Sequence, residues 1–295
     1  FKEAMGYIQS ENFPGLVVNE EQASVYILTK PETTLGYERL YEDYLSNNLN
    51  AYAASSEFAS GWHEMFAYLK KSSRPLLLKG QLAGPITYSH ILKDEQGQSL
   101  YHNELAFDVL KKFLTLKARW LVRELKKYSQ QAVIFLDEPL LQSVGTALLP
   151  IEKDTAVNLL KEVLAEVDGV KGVHCCGNTD WSILTEAGFN IIAFDAFNFT
   201  KTLALYPQQL NKFLELGGVL AWGIVPSSNK IKDYQVKDLK ELFKQAQTEL
   251  VKNGVSRQLL ELNYLISPSC GLGSLNVDVA EEIMVKTAAL AASLV

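Results

Sequence analysis

Residues 133–139 read Val133-Ile134-Phe135-Leu136-Asp137-Glu138-Pro139. Four consecutive apolar residues make a strand covered on both faces, because a half-exposed strand would alternate polar and apolar positions. Pro139 lacks a backbone donor, so hydrogen-bonded pairing stops there. Two carboxylates, Asp137 and Glu138, stand where the strand ends.

The same pattern repeats outward from this stretch. Toward the N-terminus, Pro75–Lys79 is a short apolar run followed by a loop, Gly80–Thr87. A long helix is expected over about Tyr101–Tyr128, its apolar stripe running through Leu105, Val109, Phe113, Leu116, Trp120 and Leu121. Toward the C-terminus, strands are expected at Val170–His174, Asn190–Asp195, Val219–Gly223 and Asn263–Ile266. Helices are expected near Asp154–Val167, from Asp180, around Tyr206–Leu216, on the stripe Val236, Leu239, Phe243, Ala246 and Leu250, and over Val277–Ser293. Lys252-Asn253-Gly254 closes the fourth of these with a cationic last turn and a glycine stop. Asn178-Thr179-Asp180 reads as a helix cap.

Six strand-then-helix units in succession mean a parallel sheet, as a barrel or as a doubly wound layer. No Gly-x-Gly-x-x-Gly turn follows a strand, which argues against a dinucleotide-binding domain. The expectation is an α/β fold, a TIM (β/α)8-type barrel lacking its first strand in this chain. Residues 1–295 then form a single barrel domain. Residues 1–30 form an N-terminal extension or hairpin, with Gly15–Thr29 as two strands around Asn19-Glu20-Glu21. Residues 31–71 read as helix in two or three pieces. Phe1 stands where Met would begin a chain, and Phe1–Ser10 already reads as helix, so some N-terminal structure is expected to be absent from this chain.

Composition excludes several classes. The 295 residues are 47% hydrophobic, ample for a large core, and carry a net charge of −6 with no basic block, so nucleic acid is not the expected partner. No apolar run reaches membrane-spanning length and no signal peptide opens the chain. Three cysteines, two of them adjacent, make a poor disulfide framework and point to a reducing, cytoplasmic compartment.

Chemistry-bearing residues gather at or just after strand C-termini: Gln81, Asp137, Glu138, His174, Cys176, Asp195 and Cys270. In a barrel those positions meet on the rim that carries active sites. The sharpest segment is His174-Cys175-Cys176-Gly177. Alternation on an extended strand puts His174 and Cys176 on one face and Cys175 on the other. Imidazole and thiolate both suit zinc, and Cys270 follows the last strand, so three ligands converge and leave a fourth position open. An open zinc holds a thiol as thiolate, or activates water. Buried cysteine also serves as a plain hydrophobe, the better reading for Cys175. Asp137 and Glu138 either act on a substrate or cap the next segment. Asp195 is a fourth ligand, an orienting partner of His174, or a cap. Gly84-Pro85-Ile86-Thr87 offers a backbone turn that a flat cofactor can approach. His63 and His90 read as structural, and His102 starts a helix.

These segments resemble, in order, the catalytic domain of the cobalamin-independent methionine synthases, in the superfamily of uroporphyrinogen decarboxylase and the corrinoid-linked methyltransferases. The resemblance runs from about Pro75 to the C-terminus. His174-Cys175-Cys176-Gly177 is similar to the corrinoid-linked branch, and Pro268-Ser269-Cys270-Gly271-Leu272 to methionine synthase. It implies zinc on His174, Cys176, Asp195 (where methionine synthases have Glu) and Cys270. It implies Asp137 as the carboxylate for the homocysteine amine, and matches Gly84, Pro85 and Thr87 to the family's Gly-Pro-Val-Thr turn. Methionine synthases carry a histidine proton donor after the seventh strand, where this chain reads Gly223-Ile224-Val225-Pro226. A methylcorrinoid donor, free methylcobalamin or a corrinoid protein, leaves without needing that proton. The expected activity is methyl transfer between a small-molecule thiol and such a donor. A zinc hydrolase or lyase with Glu138 as base, and a non-catalytic corrinoid-binding subunit, remain as alternatives.

Overall fold

The computed structural model describes residues 7–19, 21, 24–57 and 59–294. The chain packs as two compact units, residues 1–138 with 158–171, and residues 139–157 with 172–295.

In the first unit, a short helix α1 (Tyr7–Ser10) precedes strands β1 (Leu16–Asn19) and β2 (Ser24–Ile27), which pair antiparallel with Leu16 opposite Ile27. The turn residues Glu20, Gln22 and Ala23 of the expected hairpin lie outside the described residues. Helices α2 (Pro31–Ser46) and α3 (Ser60–Leu69) follow. Pro31 at the first position of α2 costs no hydrogen bond there, and Asn47 ends the helix in the left-handed conformation, φ 55°.

Strand β3 (Leu77–Ala83) then pairs in parallel with β4 (Gln131–Asp137), Ala83 beside Asp137. Between them stand α4 (Pro85–Ile91) and α5 (Glu104–Lys126). The stretch expected as a loop at Gly80–Thr87 is instead the end of β3, a single linking residue Gly84, and the first turn of α4. Pro85 pre-sets the helical φ at the first position, so one residue suffices to turn the chain. Helix α5 begins at Asn103, whose side chain accepts the Ala106 N–H at 3.0 Å, and ends with Arg123 and Lys126 against its negative pole. It lies so close to the sheet that a Cβ on Gly80 would stand 3.1 Å from Leu125 and 3.3 Å from Ile134. Residues 158–165 of α6 (Lys153–Ala165) pack on α5, where Thr115 donates to the Val163 carbonyl at 3.1 Å.

The second unit holds four parallel strands in sequence order: β5 (Val170–Cys175) from Gly172 onward, β6 (Ile191–Phe194), β7 (Val219–Val225) and β8 (Tyr264–Pro268). Every residue of β6 is buried, and all of β7 after Val219, as parallel strands covered on both faces require. The connecting helices are α7 (Trp181–Glu186), α8 (Ala196–Leu203), α9 (Pro207–Glu215), α10 (Val236–Lys252) and α11 (Arg257–Leu262), with α12 (Val277–Ser293) after β8. Helices α8 and α11 were not expected from the sequence. Both are single short segments directly followed by a second element, too brief for their periodicity to show.

An aromatic chain crosses this core. Trp181 meets Phe194, Phe194 meets Trp222, Trp222 meets Phe243, and Phe243 meets Tyr264, at centroid separations of 5.8, 5.4, 5.3 and 5.3 Å. Each such pair adds about 0.5–1.5 kcal/mol beyond the area it buries. They tie β6, β7, β8 and α10 together behind the strand ends that carry the candidate site. Among the described residues, no helix is long and apolar enough to cross a membrane.

Candidate metal centre

At the C-terminal end of β5 the pleat sends His174 and Cys176 to one side and Cys175 to the other. Cys175 is fully buried, its thiol donating to the Gly177 carbonyl at 3.5 Å, which fits its reading as a core residue. His174 and Cys176 are half-buried, Cys270 is exposed, and one donor atom from each of the three lies within 4.8 Å of the others. Tetrahedral zinc with bonds of about 2.1–2.3 Å sets its ligands about 3.4–3.8 Å apart, so small movements of these side chains accommodate the ion.

Two further features fit a cation. The His174 Nε2 atom is buried with no hydrogen-bond partner, an expensive arrangement unless something else satisfies it. The Cys270 thiol is held well below its ordinary range, chiefly because the Cys176 thiol donates to it, with the His174 imidazole next; Cys176 is correspondingly pushed up. A soft S,S,N donor set of this kind suits zinc.

The surroundings fix the three donors. Gly177 passes so near Gln142 that a Cβ would lie 2.5 Å from its amide oxygen. Thr179 donates to the Leu141 carbonyl at 3.0 Å, and Asp180 caps α7 by accepting the Ser182 N–H at 3.0 Å. On the other side, buried Ser269 donates its N–H to the Val225 carbonyl at 2.8 Å, and its Oγ accepts the Ser227 N–H at 3.1 Å. The residue before Cys270 is thus pinned to the end of β7. Gly223 lets these strand ends converge: a Cβ there would stand 2.6 Å from the Phe194 carbonyl and 2.8 Å from Ser269 Cα. Sequence reading missed Gly223, Ser227 and Ser269. The only available signal was that Ser269 adjoins a candidate ligand.

Asp195 stands outside the three-donor cluster. It caps α8, with one oxygen accepting the Asn198 backbone N–H at 3.0 Å and the other its side-chain amide at 2.6 Å. Burial pushes its carboxyl pKa up, the Asn198 donors pull it back, and the charges on Cys270 and His174 act on it in opposite directions. It neighbours the cluster while its hydrogen bonds go to the helix.

In the first unit, Glu138 is completely buried. Its Oε1 accepts the Ile86 N–H at 2.9 Å and its Oε2 the Thr87 N–H at 2.8 Å, so it occupies the open donors at the start of α4. Burial still raises its pKa, to about 7. The backbone turn at Gly84, Pro85 and Thr87, expected to face a cofactor, is thus packed against Glu138. Asp137 is half-buried at the end of β4 on the same sheet face as Lys79 and Gln81. Lys79 bonds Gln81 at 2.7 Å and lies 4.5 Å over the Phe135 ring; burial lowers its pKa and the Asp137 charge opposes that.

No family model matches the chain. Over 218 residues the chain is 28% identical to a methionine synthase of Methanocaldococcus jannaschii, covering 72% of this chain and 63% of that protein. It therefore spans less than two thirds of the relative's length. A solved methyltransferase from Methanosarcina mazei superposes with a TM-score of 0.46 at 15% identity, over 74% of this chain and 59% of that one. By sequence, then, the chain is similar to a methionine synthase over most of its own length.

Proposed function

We propose that the chain is a zinc-dependent methyltransferase acting on a thiol, built on a TIM-barrel-type fold. One observation carries this reading: His174, Cys176 and Cys270 bring their donor atoms within 4.8 Å in a chain similar to a methionine synthase. These three would hold the ion and leave its fourth position to the substrate sulfur. Zinc bound there keeps a substrate thiol deprotonated, and so nucleophilic, at neutral pH.

The chain's own residues set the rest. Two cysteine ligands put negative charge beside the ion and weaken it as a Lewis acid, which favours carrying a thiolate over activating water. The hydrolytic alternative would call on Glu138 as base, and its oxygens accept backbone N–H groups in a buried seat. Asp195 supports the centre from the cap of α8, as an orienting neighbour or a fourth ligand. Asp137 takes the ammonium end of an amino-acid thiol, the role the resemblance implies. The turn at Gly84, Pro85 and Thr87, fixed by Glu138, would form part of the donor's seat. At the end of β7, Ile224 and Val225 are buried and apolar and offer no acid. A donor whose leaving group needs no proton suits this end best, which points to a methylcorrinoid, as free methylcobalamin or on a corrinoid protein. Two reduced ligand thiols suit a cytoplasmic setting.

The test is direct. Zinc-loaded protein is incubated with homocysteine and either methylcobalamin or methyltetrahydrofolate, and the thioether is followed by mass spectrometry. Product from methylcobalamin, lost in Cys176→Ala, is expected. No product from either donor, or from a panel of other small thiols, overturns the reading.

A further inference from the structure

The three-donor cluster also sets two free thiols beside each other. Cys176 follows β5 and Cys270 follows β8, yet their sulfurs lie within 4.8 Å of one another. Both thiols are free; Cys176 is half-buried and Cys270 is exposed. A reagent from solvent therefore meets Cys270 first, with Cys176 waiting behind it.

A disulfide needs its two sulfurs about 2.0 Å apart, so one must move onto the other. The structure gives that freedom to Cys270. The residue before it is pinned, the Ser269 N–H donating to the Val225 carbonyl at 2.8 Å. The chain after it has room, because a Cβ on Gly271 or on Gly273 would meet nothing within 4 Å. Rotation of the Cys270 side chain with a small shift of this loop closes the gap while β5 stays in place. Cys175 is a poor rival for either partner. It is buried on the opposite side of the pleat, with its thiol donating to the Gly177 carbonyl. A bridge between adjacent Cys175 and Cys176 would force the extended end of β5 into a small, strained ring.

We propose that Cys176 and Cys270 form a reversible disulfide under peroxide, a redox switch that dismantles the metal centre. The effect on metal rests on the zinc reading above; the pairing of the two sulfurs rests on their geometry. In the first step the Cys270 sulfur takes one oxygen of hydrogen peroxide as a sulfenic acid, the O–O bond breaks, and one water leaves. In the second the Cys176 sulfur attacks the sulfenic sulfur, the S–S bond forms, and the hydroxyl departs as a second water with the Cys176 proton. The two sulfurs together lose two electrons, and the peroxide gains them. Where the thiols start as metal-bound thiolates, solvent supplies the two protons. The disulfide leaves His174 as the only one of the three donors able to hold an ion. It also keeps Cys270 from the further oxidation that a thiol reductant does not reverse.

The test exposes the whole reduced protein to a stoichiometric amount of hydrogen peroxide, with its zinc content measured beforehand. Intact mass and non-reducing peptide maps follow the thiols, and a chromophoric chelator follows released zinc. Expected are the loss of two hydrogens per chain, a cross-link between the Cys176 and Cys270 peptides, zinc release in step with it, and reversal by dithiothreitol. The cross-link should persist in Cys175→Ala and vanish in Cys176→Ala. Oxygen adducts on Cys270 without a cross-link, a Cys175–Cys176 bridge, or a cross-link that survives in Cys176→Ala would each overturn the proposal, even in protein that holds zinc. A cross-link forming in protein purified without zinc would uphold the pairing and fail the zinc reading alone.

Discussion

The Glu138 carboxylate closes over Gly84 so tightly that a Cβ at residue 84 would lie 2.2 Å from Oε1. Gly84 is the only residue between the end of β3 and the start of α4, and Glu138 holds that start by two backbone N–H groups. The contact is structural, and it makes a glycine obligatory by space.

Gly84→Ala therefore forces a buried carboxylate out of its seat. Overpacking of this kind costs about 1–3 kcal/mol, with lost hydrogen bonds adding to it. A clear fall in thermal midpoint is expected in a differential scan. An unchanged midpoint would show that Glu138 is not seated there.

Glu138 also makes a pH prediction. Its folded pKa is raised, from 4.5 to about 7, so the folded state holds the proton more tightly than the unfolded one. Its contribution is constant below the unfolded value, and stability falls as pH rises from about 4.5 to about 7, by about 3 kcal/mol in all. Glu138→Gln loses one acceptor at every pH but removes the titration. The urea midpoint of the native protein should drift down toward that of the variant across this window, and parallel curves would contradict the assignment.

The opposite sign holds for Lys117, whose folded pKa is depressed from 10.5 to about 8. Below about pH 8 both states are charged and the burial penalty is full. As pH rises from about 8 to about 10.5, that penalty of about 3 kcal/mol is relieved. Native stability should gain over Lys117→Met in this interval, with other titrating groups cancelling in the difference between the two midpoints.

Much of this architecture is legible in the residues alone. Val133–Leu136 and Ile191–Phe194 announce parallel strands because nothing in them is polar, and the face shared by His174 and Cys176 follows from the pleat. Cys270 joins them only because the chain returns β8 beside β7, which topology predicts and local pattern does not. What stayed hidden depends on distance across the fold. Glu138 reads as a reactive carboxylate until Ile86 and Thr87, 52 and 51 residues away, are seen donating to it. Position alone leaves Asp195 as ligand, orienting partner or cap, and its part as a cap shows only once Asn198 is seen donating to both its oxygens. Gly223 and Ser269 show their purpose only where three strand ends meet.

Ser269 gives a prediction free of the ligands themselves. Its hydroxyl and N–H hold the Cys270 segment to Val225 and Ser227. Ser269→Ala keeps the N–H bond and loses the hydroxyl. Supporting groups of this type affect metal affinity by about 10–100-fold. Competition with a chromophoric chelator should show weaker zinc in the variant while circular dichroism stays unchanged. Equal affinity would place the serine outside the centre's support.

The central claim is that His174, Cys176 and Cys270 form a zinc centre, and elemental analysis of freshly purified, reduced protein beside Cys270→Ala tests it most directly. The account predicts about one zinc per chain in the native protein and a sharp loss in the variant. Absence of zinc from the native protein, or the same content in both, would contradict it.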